Sequence, residues 1–220
     1  MRAGDLISDE IPTLNGDDNA LFAMQLLDEY KMKHLAVVDH KRFLGLLSDS
    51  AVLDISNYEA PLRDSSDLLQ KVYIQSDQHV YDVVNLAAEF QLSAIPILDL
   101  NQNFAGVVSI YSLIRELSNI AAMKEPGGII VLEMNQHDYS LSEIARIVEG
   151  NDALILSANV TSIPNSTKME ITLKVNRTNM DGIIQTFSRF DYNISASFHQ
   201  SSLDDTLLDR YDELMRYLKI

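Results

Sequence analysis

Apolar residues fall along the chain in two alternating rhythms, one helical and one of short unbroken runs. Ala20, Ala23, Met24, Leu27 and Tyr30 recur at a spacing that places them on one stripe of a helix. Val80, Val83, Val84, Ala87 and Phe90 repeat that stripe 60 positions later. Each stripe is followed by an apolar run, Leu35-Ala36-Val37-Val38-Asp39 and Ile95-Pro96-Ile97-Leu98-Asp99. A polar turn leads to a second run, Phe43-Leu44-Gly45-Leu46-Leu47-Ser48 and Phe104-Ala105-Gly106-Val107-Val108-Ser109. Unbroken runs of this kind predict strands buried on both faces. Asp17 and Asp77 stand just before the stripes, where a side-chain oxygen can cap free N–H groups. Each copy reads strand, helix, strand, turn, strand, helix.

The two copies align with an offset of 60, which becomes 61 after one extra residue, Asn103. Identities fall at Asp17/Asp77, Leu26/Leu86, Glu29/Glu89, Asp39/Asp99, Phe43/Phe104, Gly45/Gly106 and Ser48/Ser109. The shared apolar pattern, more than these identities, marks an internal duplication.

The second half has a different order. Pro126-Gly127-Gly128 breaks the periodicity and reads as a linker. Ile129 to Met134 reads as a strand. Ser140-Leu141-Ser142-Glu143 fits a capping box, before a stripe of Ile144, Ile147 and Val148. Ala153 to Ile163 reads as a strand and Pro164-Asn165-Ser166 as a turn. Met169 to Val175 alternates, Met180, Ile183, Ile184 and Phe187 share a helical face, and Asn193 to Phe198 alternates again. The order β-α-β-β-α-β predicts a split βαβ sandwich with an antiparallel sheet. Leu203, Leu207, Leu208, Tyr211, Leu214, Met215 and Leu218 then form the stripe of a C-terminal amphipathic helix. Ser202 would cap it, with Asp204 and Asp205 early and Arg216 and Lys219 late, as the helix dipole favours. That stripe packs either on its own domain or on a partner subunit.

Charge and composition narrow the function. The 220 residues carry a formal charge of −15, which disfavours nucleic acid and anionic membrane. The absence of cysteine excludes disulfides, thiolate zinc sites and a cysteine nucleophile. Residues 1–19 lack the apolar core of a signal peptide, and no run of about 18 apolar residues predicts a membrane span. A soluble cytoplasmic protein is the expectation. Five histidines, His34, His40, His79, His137 and His199, form no H-x-x-x-H or H-E-x-x-H pair. No nucleophile elbow, Walker loop or G-x-G-x-x-G turn is present. The expectation is therefore a protein without catalytic or metal-binding residues.

The paired stretches Val37-Val38-Asp39 to Ser48 and Ile97-Leu98-Asp99 to Ser109 resemble a tandem pair of cystathionine-β-synthase-type (CBS) domains over residues 1–124. The resemblance implies two βαββα repeats packed about a pseudo-twofold axis. It also implies two clefts for adenosine-type ligands, such as an adenine nucleotide or S-adenosyl compound. It places Ile11, Pro12, Thr13, His34 and Ala36 at one cleft, and Val72, Tyr73, Ala94, Pro96, Ser109 and Ser112 at the other. The family's ligand stretch is Gly, two apolar residues, Ser or Thr, two more, then an Asp for the ribose hydroxyls. Here Ser48 and Ser109 fill the hydroxyl position, while Ala51 and Ser112 stand where the Asp belongs. A carboxylate suits two neighbouring O–H donors because it only accepts, so both ribose acceptors are missing. Residues 1–124 also carry a net charge of −9, with Lys33, His34, Lys41 and Arg42 as the basic cluster near copy one. Ser48 and Ser109 then have two readings, ligand contact or helix cap.

The second half is similar in order and length to an ACT domain, with Asn135-Gln136-His137-Asp138-Tyr139-Ser140 at its first strand-to-helix turn. Asp138 fits an acidic position there, and no glycine allows close backbone approach. The full order resembles acetoin-utilisation-type regulatory proteins. The expected fold class is α/β and α+β, a CBS pair plus a ferredoxin-like ACT-like domain and a C-terminal helix. The domains divide at 1–62, 63–124, 125–200 and 201–220. The resemblance implies a homodimer that senses a small ligand without catalysis, with a scaffold that has lost its ligand as the alternative.

Overall fold

A computed structural model describes residues 1–8 and 10–199. The C-terminal stripe expected over residues 203–218 lies outside the described residues. The chain divides into two compact units, Met1–Leu117 and Ser118–Ile220.

In the first unit each copy builds a three-stranded sheet. Copy one runs β1 (Leu14–Asn15), α1 (Ala20–Glu29), β2 (His34–Asp39), β3 (Arg42–Ser48) and α2 (Asp49–Leu53). Copy two runs β4 (Ile74–Gln75), α3 (Val80–Glu89), β5 (Ala94–Leu98), β6 (Phe104–Ser109) and α4 (Ile110–Ile120). The middle strand pairs parallel with the first and antiparallel with the third in both sheets. β2 and β5 are buried almost throughout, as their unbroken apolar runs require. The extra residue Asn103 is gripped by Asp99, whose carboxylate accepts from the Asn103 backbone N–H at 2.7 Å and from its side-chain amide at 3.0 Å. Those bonds hold the Asp99 carboxyl below its ordinary range.

Each copy is completed by a segment from outside it. Ser8 N–H donates to Val107 O on β6, and Gly4 N–H to Ser76 O. Equivalently, residues 61–71 lie on copy one: Leu46 and Gln70 exchange backbone hydrogen bonds at 2.8 and 3.0 Å. The straps cross where Gly45 (φ +145°) and Gly106 (φ +152°) stand. A Cβ on Gly45 would lie 2.6 Å from Leu69 Cβ, and one on Gly106 would collide with Ile7. Glycine is needed at both positions for the left-handed backbone as well as for the space.

Two expected caps are corrected. Asn19, not Asp17, caps α1 by accepting from Phe22 N–H, and His79, not Asp77, caps α3 by accepting from Tyr81 N–H. A cap must lie within reach of the N2 and N3 amides. Here a turn precedes each helix (Asp18 N–H to Asn15 O, Gln78 N–H to Gln75 O), leaving the aspartates too far upstream. Asp17 instead pairs with Arg63 at 2.5 Å.

The second unit contains β7 (Gly128–Asn135), α5 (Leu141–Glu149), β8 (Ile155–Ser162), β9 (Lys168–Val175), α6 (Asp181–Arg189) and β10 (Asn193–His199). Its sheet order β10-β7-β9-β8, antiparallel throughout, is the ferredoxin-like arrangement. Ile130, Leu132, Ile171 and Leu173 meet Ile144, Val148, Ile183 and Phe187 in one core. Gly127 and Gly128 stand where the chain enters this sheet, hard against Val175 and Met180. Ser140 caps α5, accepting from Glu143 N–H at 3.4 Å. The expected return bond is replaced: the Glu143 carboxylate turns to the Tyr192 hydroxyl at 3.1 Å. Among the described residues no helix is long and apolar enough to cross a membrane.

Candidate functional site

Strand register gathers the expected site residues into two equivalent sets. In copy one, His34 lies opposite Ser48 and Ala36 opposite Leu46. Thr13 immediately precedes β1, whose Leu14 pairs with Val37, so Thr13 stands beside Ala36. In copy two, Ala94 lies opposite Ser109 and Pro96 opposite Val107, while Tyr73 precedes Ile74, the partner of Ile97. The middle strands β2 and β5, which carry most of these residues, contact each other.

Most of these side chains are enclosed. Ala36 and Ala94 are fully buried, and His34, Ser48, Ser109 and Ser112 are at most 8% exposed. Thr13 and Tyr73 are exposed. The Tyr73 ring is 39% exposed and stands edge-on to Phe43 at 6.3 Å. Phe43 itself stacks on its counterpart Phe104, with centroids 6.2 Å apart.

Both serines cap the helix that follows. Ser48 Oγ accepts from Ala51 N–H at 3.0 Å, and Ser109 Oγ accepts from Ser112 N–H at 2.9 Å. Ser109 also donates to Ser112 Oγ at 2.9 Å, and the Arg115 guanidinium reaches the same oxygen at 3.4 Å. Donors thus converge where the ligand stretch has its carboxylate position.

His34 breaks the symmetry of the two sets, since its counterpart is Ala94. Its Nδ1 accepts from Ser93 N–H at 3.2 Å and lies 3.3 Å from Ser93 Oγ, joining copy one to copy two. Burial pushes the imidazole pKa down; Asp49 opposes this and Lys33 adds to it. His40 lies 3.9 Å from Asp39 and His137 lies 3.3 Å from Asp138, both at exposed turns. Among the described residues no group of three or more candidate ligands forms a metal site.

The second unit holds a cavity of about 520 Å³ that the sequence pattern did not disclose. Its walls come from the end of β7, Asp138, Glu143, Lys168 and residues 190–193. Lys168 pairs with Glu133 at 2.6 Å, which holds the Glu133 carboxyl below its ordinary range. Burial, aided by the hydrogen-bonded Glu143 carboxylate, pushes the Tyr192 phenol up to about 12. Only Asp138, at the first strand-to-helix turn, was visible as a candidate from sequence. The other walls lie up to 60 positions apart and meet only through the sheet.

A CBS domain pair/ACT domain protein of Thermotoga maritima is 16% identical over 54% of this chain and 98% of that one, with a TM-score of 0.49. The CBS-pair protein CBSX2 of Arabidopsis thaliana is 19% identical over 54% of this chain and 95% of its own, with a TM-score of 0.46. CBSX2 in complex with AMP is 19% identical over 54% of this chain and 97% of the other, also at 0.46. The sequence profile of the CBS domain matches twice, at residues 3–58 and 66–119, which together make half of the chain. With one match to each copy of the duplication, the chain belongs to the CBS-domain family.

Proposed function

We propose that this chain is a non-catalytic regulatory protein whose paired CBS repeats sense an adenosine-type or other small ligand. The observation that carries this reading is the exposed Tyr73 ring, held edge-on by Phe43 next to the buried strand β5. An aromatic face beside Ala94 and Pro96 offers a stacking surface to a flat ring such as adenine. Thr13 has no ring to offer, so the ligand is assigned to the set of Tyr73, Ala94, Pro96, Ser109 and Ser112. Thr13, His34, Ala36 and Ser48 form the quasi-equivalent second set. An adenine nucleotide or S-adenosyl compound would be held by its ring and by the hydroxyls at Ser109 and Ser112. Its ribose would lack the usual carboxylate partner. The ligand would act by binding one arrangement of the repeats better than another.

The wider reading follows the sequence divisions: CBS repeats at 1–62 and 63–124, an ACT-like domain at 125–200 and a tail at 201–220. That is the order of acetoin-utilisation-type regulators, and a cytoplasmic homodimer is the form we infer. A scaffold that has lost its ligand is the second reading. It is favoured by Ala51 and Ser112 at the carboxylate positions and by Ser48 and Ser109 serving as caps.

A thermal-shift series separates the two. A native-state ligand at one hundred times its Kd adds about 2.7 kcal/mol. For a chain of this size that is a rise in Tm of roughly 5–10 °C. AMP, ATP or S-adenosylmethionine should give such a rise, and Tyr73→Ala should abolish it while leaving the unliganded Tm within about 2 °C. No rise with any of them would favour the scaffold.

A further inference from the structure

The two copies differ at the approach to their first strands. Burial alternates along residues 71–74: Val72 and Ile74 pack on the core, while Lys71 and Tyr73 are exposed. An extended segment sends residues i and i+2 to the same side, so the Lys71 amine and the Tyr73 ring share a face. Their contacts agree with this. Lys71 Nζ donates to Leu44 O, and the Tyr73 ring stands edge-on to Phe43 at 6.3 Å. Two neighbouring residues of copy one thus receive a cation and an aromatic ring from copy two. The Leu44 carbonyl is neutral and takes one of the three ammonium donors. Two N–H groups and the positive charge are left beside the ring. The duplication supplies an internal comparison. At the offset of 60, Lys71 corresponds to Ile11 and Tyr73 to Thr13. Ile11 packs on the core and Thr13 has no ring, so copy one offers neither feature.

We propose that Lys71 sets the specificity of the Tyr73 site, selecting a ligand that joins a flat ring to anionic phosphate, with one such site per chain. This deepens the ligand-sensing reading and rests on it. ATP and S-adenosylmethionine share adenine and ribose. They differ in what the ribose carries at its 5′ carbon, anionic phosphates in one and a sulfonium cation in the other. An ammonium beside the ring attracts the first and repels the second. The surrounding residues 1–124 carry a net charge of −9, so a cation is needed here before an anion can dock. Because Phe43 and Leu44 hold the Tyr73 ring and the Lys71 amine, the site is built jointly by both copies.

Isothermal titration calorimetry of the full chain tests this with ATP, adenosine and S-adenosylmethionine as probes. ATP should bind at one site per chain, about tenfold more tightly than adenosine, as one charge-assisted contact allows. S-adenosylmethionine should bind no more tightly than adenosine. Lys71→Gln removes the charge but keeps a donor for Leu44 O. It should weaken ATP about tenfold, leave adenosine within about twofold, and leave the unliganded Tm unchanged. Lys71→Arg should restore ATP binding close to that of the parent. Three results would each overturn the role of Lys71 while the ring site stands: adenosine or S-adenosylmethionine binding as tightly as ATP, ATP affinity unmoved by Lys71→Gln, or two equal ATP sites per chain. Binding of none of the three probes to the parent would overturn the ring site itself, and this inference with it.

Discussion

His34 is a neutral histidine by geometry. Its Nδ1 accepts the Ser93 N–H, so in this arrangement its proton sits on Nε2. Protonating Nδ1 would set two donors against each other inside a buried junction between the copies. Burial also disfavours the charged ring, and Asp49 recovers only part of that loss. The folded-state pKa lies below the ordinary 6.5, so below pH 6.5 the unfolded chain takes up a proton that the folded chain resists. His34 therefore contributes stability that is present above pH 6.5 and lost as pH falls through its folded pKa. Urea midpoints measured at pH 7.5, 6.5 and 5.5 should fall in that order. His34→Asn offers an amide oxygen as acceptor without titrating near neutrality, and should flatten the decline between pH 6.5 and 5.5. A variant as steeply pH-dependent as the parent would exclude His34 as the source.

At the scale of elements, the straps hold the copies together through backbone pairing over glycine. Gly45→Ala forces a side chain into left-handed backbone, at about 1–3 kcal/mol, and presses its Cβ onto Leu69. A total loss of roughly 2–5 kcal/mol is expected, measured by urea unfolding. Gly106→Ala should act on the amino-terminal strap instead, freeing residues 1–8 to limited proteolysis as Ile7 is displaced. Neither strap was legible in the sequence. Their hydrogen bonds join positions about 25 and 100 residues apart, Gln70 to Leu46 and Ser8 to Val107, and leave no periodic signature. What periodicity could carry was legible: β2 and β5 as buried strands and the buried faces of α5 and α6, while the caps at Ser48 and Ser109 were one of two readings that only the structure separates. His34 faces Ser48, and Ala94 faces Ser109, because register follows from the apolar pattern. Caps at Asp17 and Asp77 were misread because a turn before a helix shifts its first residue without disturbing the stripe that follows.

At the scale of the molecule, duplication repeats what the surface exposes as well as what the core hides. Leu21 on α1 and Tyr81 on α3 occupy equivalent positions and are 53% and 58% exposed. Leu53 at the end of α2 and Ile114 on α4 are also equivalent, at 59% and 58%. Tyr111, one turn before Ile114, is 74% exposed. Scattered surface apolar residues need no explanation, but the same helical positions left open in both copies form a self-similar surface suited to a twofold contact. Such a contact must work against charge, since each chain carries −15. Repulsion between exposed charges is screened over about 30 Å at 0.01 M salt and about 8 Å at 0.15 M. The homodimer proposed above should therefore strengthen as salt rises, opposite to an interface built on ion pairs. Sedimentation velocity at 10 mM and 300 mM NaCl should show the dimer fraction increasing. Tyr111→Glu with Ile114→Glu should leave a folded monomer at both concentrations. A dimer that weakens with salt, or survives that double substitution, would place the contact on a different surface from these helices.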